Sequence, residues 1–456
     1  MSTSGRLRVA VLAVSDCLLL YGAWAAVTFS YHLTGFGQYE PSFYLRMWPM
    51  GPAFVAVNYL FRLYHGSLLY PAAPLSPVEE LRRLFGSALL THIGLIAVLA
   101  LMRQTTEDYS RFVIAVSGML VALLAQPFRD LVRKGMAACG IGRIPVFLVG
   151  GGAVADRIAN TIAEDSYLGF SVVGRFSDDS GDKVVEEARR QNVRILIACQ
   201  DVRLFQFKMA EYAQWFTHIE YIPTSRAFPV LGARAVAFGG LGGLEMVNQG
   251  QMRILRVEKW LLDMVLAIIA FVMLLPCFLI IPVLIKLTSR GPVFYRQERL
   301  GRGGRKIRVW KFRSMYNDAD ARLDAILKAN PTAATEWNKN FKLKKDPRVT
   351  PVGRFLRKTS MDELPQLFNV FIGDMALIGP RPIVSEEIAY YGDAYDIFTS
   401  VKPGVTGLWQ VSGRSSTDYE RRVALDTYYV LNWSPWLDIW ILRRTISAVS
   451  SMRGAC

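Results

Sequence analysis

Asp362 and Glu363 are adjacent carboxylates with cations on one side and a stiff turn on the other. Arg354, Arg357 and Lys358 precede the pair, and Gly379-Pro380-Arg381-Pro382 follows it. Anionic groups ringed by cations suit a reaction on phosphates, in which a metal ion bridges carboxylate and phosphate oxygens. The spacing has a second reading. Ser360-x-x-Glu363 is a capping-box pattern, in which Glu363 caps a helix start and Asp362 complements its dipole. Spacing alone does not choose between a reactive pair and a capped helix.

The elements that must position this pair belong to a chain of 456 residues, a length that suggests about three domains. The chain is 52% hydrophobic and 20% charged, too apolar for an ordinary soluble enzyme and suited to membrane segments. Its net charge of +15 fits anionic lipid or phosphorylated substrates better than nucleic acid, given so many apolar runs. Cys17, Cys139, Cys199, Cys277 and Cys456 form no CxxC pair, so neither a disulfide framework nor a zinc site is indicated. No histidine stands out as a base; His32, His65, His92 and His218 lie away from the pair.

Apolar stretches at residues 9–31, 44–61, 84–102 and 112–128 each approach the ~20 residues that cross a bilayer as a helix. Arg6 and Arg8 precede the first, Arg62, Arg82 and Arg83 separate the second and third, and Arg129, Arg133 and Lys134 follow the fourth. The positive-inside rule then predicts four spans, with both ends in the cytoplasm and the first run retained as an anchor. After Gly142, short apolar strands near residues 145–149, 171–174, 194–199 and 220–222 alternate with helical patterns, as in a parallel α/β sheet. Gly150-Gly151-Gly152-Ala153 is similar to a dinucleotide turn but lacks its full spacing, and Asp178 and Asp179 are poorly placed for a ribose. A structural or regulatory module is the preferred reading.

The fifth apolar run, residues 260–285, has strongly basic flanks on both sides. A single crossing cannot keep both in the cytoplasm, and Pro276 removes a backbone hydrogen bond in mid-run. The expectation is a re-entrant helix that breaks at Pro276, against the alternative of a full span. Beyond it, strands near 294–299 and 307–312 and helices at 319–329 and 416–429 are predicted. Trp433, Trp436 and Trp440 fit either an interfacial belt on one helix face or ordinary core packing.

From about Glu258 onward the chain resembles the bacterial sugar transferases that make polyprenyl-diphosphate sugars, the monotopic phosphoglycosyltransferases. The resemblance rests on residues 311–315 (KFRSM), 360–367 (SMDELPQL), 373–375 (GDM), 379–382 (GPRP), 402–407 (KPGVTG) and 410–414 (QVSGR), in that order. Glu336-Trp337, residues 341–344 (FKLK) and Ile383-Val384-Ser385 look most like undecaprenyl-phosphate galactose phosphotransferases; glucose-transferring relatives share the core. The implied architecture is a transmembrane helical bundle (1–135), a Rossmann-like α/β module (143–240) and a mixed α/β catalytic domain (253–456) with a re-entrant helix at about 260–287. Two departures stand out: Leu275-Pro276 where the family often has Ser-Pro, and Trp260 where a cation follows Lys259.

The resemblance implies transfer of a sugar 1-phosphate from a UDP-sugar to undecaprenyl phosphate with release of UMP, as the first step of a surface polysaccharide. It implies a covalent intermediate on Asp362. An ordinary aspartate, with a pKa near ~3.9, is already ionised at neutral pH and needs no base. Its obstacle is anionic repulsion, which Mg²⁺ held by Glu363 and nearby arginines would relieve. Arg381, with its backbone restricted by prolines, is the first choice for a phosphate clamp. Arg357, Lys311 and Arg313 follow, the last two also reading as headgroup anchors. Arg414 and Asp426 match positions near sugar or nucleotide. The expected setting is the bacterial inner membrane, with the catalytic domain facing the cytoplasm and the chain forming a homodimer. A nucleotide-sensing regulator with a degenerate transferase domain is the rival class, against which the intact Asp362, Glu363 and Arg381 argue.

Overall fold

The computed structural model describes residues 3–34, 47–64, 76–101, 110–164, 169–178, 181–222, 224, 233–238, 241–246, 253–319, 321, 323, 346, 348–412 and 419–450. The chain divides into two compact units, Met1–Phe228 and Pro229–Cys456.

The first unit begins with helices. Thr3–Leu33, Pro77–Leu101 and Arg111–Ala138 are each long and apolar enough to cross a membrane. The second expected span is described only as Met50–Leu60, at 11 residues too short to cross. Leu20, Phe54, Leu84, Ile114 and Val121 pack the bundle core. Beside it runs a buried ionic network. Asp16 accepts from Arg129 Nε at 2.9 Å and from the Tyr64 hydroxyl at 2.6 Å. Glu80 accepts from Arg129 Nη1 at 3.1 Å and from Arg133 Nη1 at 2.8 Å. Breaking such a pair leaves a stranded charge, typically at a cost of about 3–5 kcal/mol. Of the cations that flank the apolar runs, Arg8, Arg129 and Arg133 are buried, and only Lys134 of the last cluster is exposed.

The same unit continues into a four-stranded sheet. β1 (Ile144–Val149), β2 (Phe170–Phe176), β3 (Ile195–Ala198) and β4 (His218–Tyr221) pair in parallel in the order β2-β1-β3-β4. Helices Gly152–Glu164, Gly181–Gln191 and Val202–Tyr212 connect them, with apolar clusters about Val146 and Phe147. Gly150 has a structural reason to be glycine: its φ is +123°, and a Cβ there would overlap the Cys199 carbonyl.

The second unit holds an antiparallel hairpin of β5 (Ala233–Phe238) and β6 (Leu241–Met246), then the helix Arg253–Thr288. This helix is continuous through Pro276 and Pro282, so the expected break at Pro276 is not an interruption. A proline deletes one hydrogen bond and crowds one carbonyl, a local lesion that long flanking turns can carry. At 36 residues the helix is about 54 Å long. One face lies on the body of the unit along much of that length. Lys259 Nζ donates to Asp263, to Asp438 and to the Ile378 carbonyl, each at 2.8 Å. Phe271 and Phe278 pack edge-on against Phe368, and Ile281 and Ile285 join Phe312 and Leu356 in a buried cluster. The other face exposes Val265, Val272, Met273, Leu279, Ile280 and Leu287.

β7 (Phe294–Leu300) and β8 (Lys306–Phe312) form the next antiparallel hairpin. β9 (Ala376–Ile378) pairs in parallel with β10 (Gly404–Thr406). The tail resolves in favour of packing for Trp433, which is buried, precedes the helix Pro435–Ser450 and donates to Asp438 at 2.9 Å. The predicted helix at 319–329 lies almost wholly outside the described residues.

Candidate active site

Two short helices set the carboxylates. Thr350 accepts a hydrogen bond from the Gly353 N–H at 2.8 Å and starts the helix Pro351–Thr359, with Pro351 at its first turn. Ser360 ends it in the left-handed region at φ +57°. A 3-10 turn over Met361–Glu363 follows, then the helix Gln366–Ile372, closed by Gly373 at φ +92°. The capping-box reading fails here: Ser360 makes no side-chain cap, because it is the C-cap of the preceding helix. Met361 and Leu364 pack into the cluster around Phe312 and Ile281, which pins the turn on both sides of the dyad. Asn369 joins the second helix to β8, accepting from Trp310 N at 2.9 Å and donating to the Arg308 carbonyl at 2.8 Å.

Cations converge on the turn from remote segments. Lys311 Nζ, from β8, donates to Glu363 Oε1 at 2.8 Å, and Arg381 Nη2 approaches the same oxygen at 3.3 Å. Arg381 follows a turn tied to β10, in which Gly404 N donates to the Pro380 carbonyl at 2.8 Å and Gly379 N to Thr406 O at 2.9 Å. A Cβ on Gly379 would come within 2.8 Å of the Lys402 carbonyl, so glycine permits that approach. Arg357 donates to the Ser314 hydroxyl at 2.9 Å and acts on Asp362 through its charge. Arg313 is directed elsewhere: its Nη2 holds Ser289 Oγ at 2.7 Å, at the exit of the long helix. Arg414 lies outside the described residues.

The two neighbouring carboxyls titrate in opposite directions. Burial, reinforced by the Glu363 charge, pushes Asp362 up to about 6, against Lys311 and Arg357. Burial also works to raise Glu363, but Arg381 and Lys311 outweigh it and hold this group at about 2. The ordinary aspartate value expected from sequence is therefore revised upward. Asp362 is still ionised by roughly ten to one at pH 7.

A second acidic cluster adjoins Arg381. Asp426 is buried, accepts from the Tyr391 hydroxyl at 2.7 Å, and is raised to about 6 by that burial against the pull of Tyr391, Arg422 and Arg381. Glu387 accepts from Arg422 at 3.0 Å and from Tyr419 at 3.1 Å. Arg299 is within electrostatic reach of Arg381, Glu387, Glu363 and Arg422, and its guanidinium is lowered by burial and then by Arg381. Sequence reasoning passed over Arg299, Glu387 and Arg422; the alternation of β7 could have flagged Arg299.

Among the described residues no group of three His, Cys, Asp or Glu side chains is arranged to hold a metal. Mg²⁺ needs no such cage, since it commonly keeps waters and takes one or two carboxylates together with substrate phosphates. Adjacent carboxylates, one of them held ionised at about 2, fit that small donor set.

Residues 254–452 match the model of the family described as "Bacterial sugar transferase". The chain is 36% identical over 376 residues to the undecaprenyl-phosphate galactose phosphotransferase of Salmonella typhimurium, covering 78% of this chain and 79% of that one. The chain belongs to the bacterial sugar transferase family. The transferase is also 33% identical over 395 residues to the UDP-galactose-lipid carrier transferase of Erwinia amylovora, covering 82% of each. It is 32% identical over 329 residues to the UDP-glucose:undecaprenyl-phosphate glucose-1-phosphate transferase of Escherichia coli, covering 67% of this chain and 68% of the relative. The family match contains the dyad, both of its cationic partners and all but the first residue of the long helix.

Proposed function

We propose that the transferase moves galactose 1-phosphate from a UDP-sugar to undecaprenyl phosphate through a covalent intermediate on Asp362, initiating a surface polysaccharide. The observation that carries this reading is the meeting of Lys311 and Arg381 on Glu363 Oε1, one residue from Asp362. An ionised Asp362 oxygen attacks the phosphorus that bears the sugar. The bond from that phosphorus to the bridging diphosphate oxygen breaks, and UMP leaves with the electron pair. An oxygen of the lipid phosphate then attacks the same phosphorus and expels the Asp362 carboxylate. Neither nucleophile requires deprotonation by a base. Arg381 and Lys311 offset the negative charge that gathers at the phosphorus. Glu363 is the residue to hold Mg²⁺, which when bound would neutralise diphosphate oxygens.

The galactose reading is supported by relatives named for galactose, at 36% and 33% identity over about four-fifths of the chain. A re-entrant seating of the long helix is supported by its contacts. Lys259 and Ile285 stand 26 residues apart, about 39 Å along a helix, yet both pack on the same unit. A helix passing through a ~30 Å hydrocarbon core would carry one of those ends beyond reach of a body on the cytoplasmic side.

Purified protein incubated with UDP-sugars and Mg²⁺ but no lipid acceptor tests the chemistry. The expected result is one UMP per active site with UDP-galactose, and none from Asp362→Asn. A full burst of UMP from Asp362→Asn would remove the nucleophile from this residue, and a burst only with UDP-glucose would reassign the sugar.

A further inference from the structure

We infer that Arg299 holds the phosphate of the leaving nucleotide. This role rests on the reaction proposed above and adds a residue on the donor side of the same site. Arg299 lies on β7, in the hairpin whose other strand supplies Lys311. Tyr295 is the register partner of Lys311, and Arg299 follows Tyr295 by four residues. Strand alternation therefore puts the two cations on one face, about 13 Å apart along the hairpin. The adjoining backbone brings Arg381 alongside. Leu300 N donates to the Ile383 carbonyl at 2.8 Å, joining the residue after Arg299 to the second residue after Arg381.

The carboxylates of this region are engaged elsewhere. Glu363 Oε1 receives Lys311 and Arg381. Glu387 receives Arg422 and Tyr419 through Oε1, and the Val384 N–H through Oε2 at 3.0 Å. Among the described residues no carboxylate closes on Arg299 to ion-pair distance. Its side chain is nevertheless half-buried, and the guanidinium is lowered by burial first and then by Arg381, against Glu387 and Glu363. A cation withdrawn from water beside a second cation is unfavourable until an anion answers it. Arg381 has such an anion in Glu363; Arg299 faces the site without one.

The side on which Arg299 stands selects the phosphate. The charges that act most on Asp362 are Glu363, Lys311 and Arg357, whereas those that act most on Arg299 are Arg381, Glu387, Glu363 and Arg422. Arg299 therefore lies beyond Glu363 and Arg381 from Asp362. In an in-line displacement the leaving oxygen departs opposite the attacking one. The donor's second phosphate, which leaves as part of UMP, then falls toward Arg299, whose planar fork suits two phosphate oxygens.

Binding of UMP to the full chain in phosphatidylcholine nanodiscs, with Mg²⁺ and no sugar donor, tests this without turnover. Arg299→Gln should weaken UMP by roughly 10- to 100-fold, the worth of a charged hydrogen bond. Arg299→Lys, which keeps the charge, should recover part of the loss. Arg296→Gln, exposed and on the opposite face of β7, should bind UMP normally. Without UMP, Arg299→Gln should melt no lower than the unmodified protein, because it strands no partner. In turnover the KM for the UDP-sugar should rise while that for undecaprenyl phosphate stays in place. The inference is overturned if the unmodified protein does not bind UMP, or if Arg299→Gln binds it equally well. It is equally overturned if Arg299→Gln melts lower without ligand, or if both KM values rise together. A full UMP burst from Asp362→Asn would instead strike the covalent intermediate and leave the UMP-binding result standing.

Discussion

Lys311 and Glu363 are 52 residues apart in the chain and 2.8 Å apart in space. The contact ties β8 to the turn that carries Asp362, and it bears on both carboxyls, because Lys311 lowers Glu363 and Asp362 alike. Lys311→Met should therefore raise the titration of Asp362 further. The expected outcome is a roughly 10- to 100-fold loss of kcat/KM at neutral pH, the worth of one charged hydrogen bond. The acidic limb of the pH–rate profile should move to higher pH, and a limb that stays in place would detach Lys311 from the titration of Asp362.

The Asp362 value of about 6 also makes a stability prediction. A carboxyl raised in the folded state above its unfolded value penalises folding in its ionised form. The penalty is present above pH 6, fades as pH falls through 6 toward 4, and amounts to about 1–3 kcal/mol. Asp362→Asn removes it, so this variant should melt higher than the unmodified protein at pH 7.5, and the gap should close as pH falls toward 4.

Arg381→Lys keeps the charge but loses the planar fork that reaches Glu363 Oε1 at 3.3 Å. We expect kcat/KM to drop by roughly 10- to 100-fold with the melting temperature nearly unchanged. Full activity in this variant would reduce Arg381 to a general counter-charge.

Lys259 is an anchor of a different kind, with Asp263, Asp438 and the Ile378 carbonyl all at 2.8 Å. Lys259→Met strands two buried carboxylates, a change that typically costs about 3–5 kcal/mol. Thermal unfolding and detergent sensitivity should both worsen sharply, while the pH–rate profile of surviving protein keeps its shape.

Single cysteines at Glu258 and Arg290, both exposed, test how the long helix is seated. In sealed inner-membrane vesicles a membrane-impermeant maleimide should reach both from the cytoplasmic face. Labelling from opposite faces would make the helix a full span.

Much of this arrangement was legible before any coordinates. The apolar run ahead of Gly150 became β1, and the motif order placed the dyad, Lys311 and Arg381 in one site. Other features needed three dimensions. Ser360-x-x-Glu363 reads as a helix start only if Ser360 is extended, and its left-handed backbone ends the preceding helix instead. Lys311 and Arg313 share strand parity, but β8 stops at Phe312, so Arg313 turns back to Ser289. Counting flanking arginines treats each as a free surface charge, and Asp16 and Glu80 are too distant in sequence to reveal that Arg129 is consumed by them. The upward shift of Asp362 depends on burial, which no spacing encodes.

An ordinary membrane-crossing helix adapts to its host by tilting when the acyl chains change length. The helix Arg253–Thr288 is gripped near one end by Asp438 and near the other by the Phe312 cluster of the same body, which denies it that freedom. In the re-entrant seating, the height of Asp362 above the lipid is then fixed by protein geometry alone. A carrier phosphate would meet Asp362 at one depth in thin and thick bilayers alike.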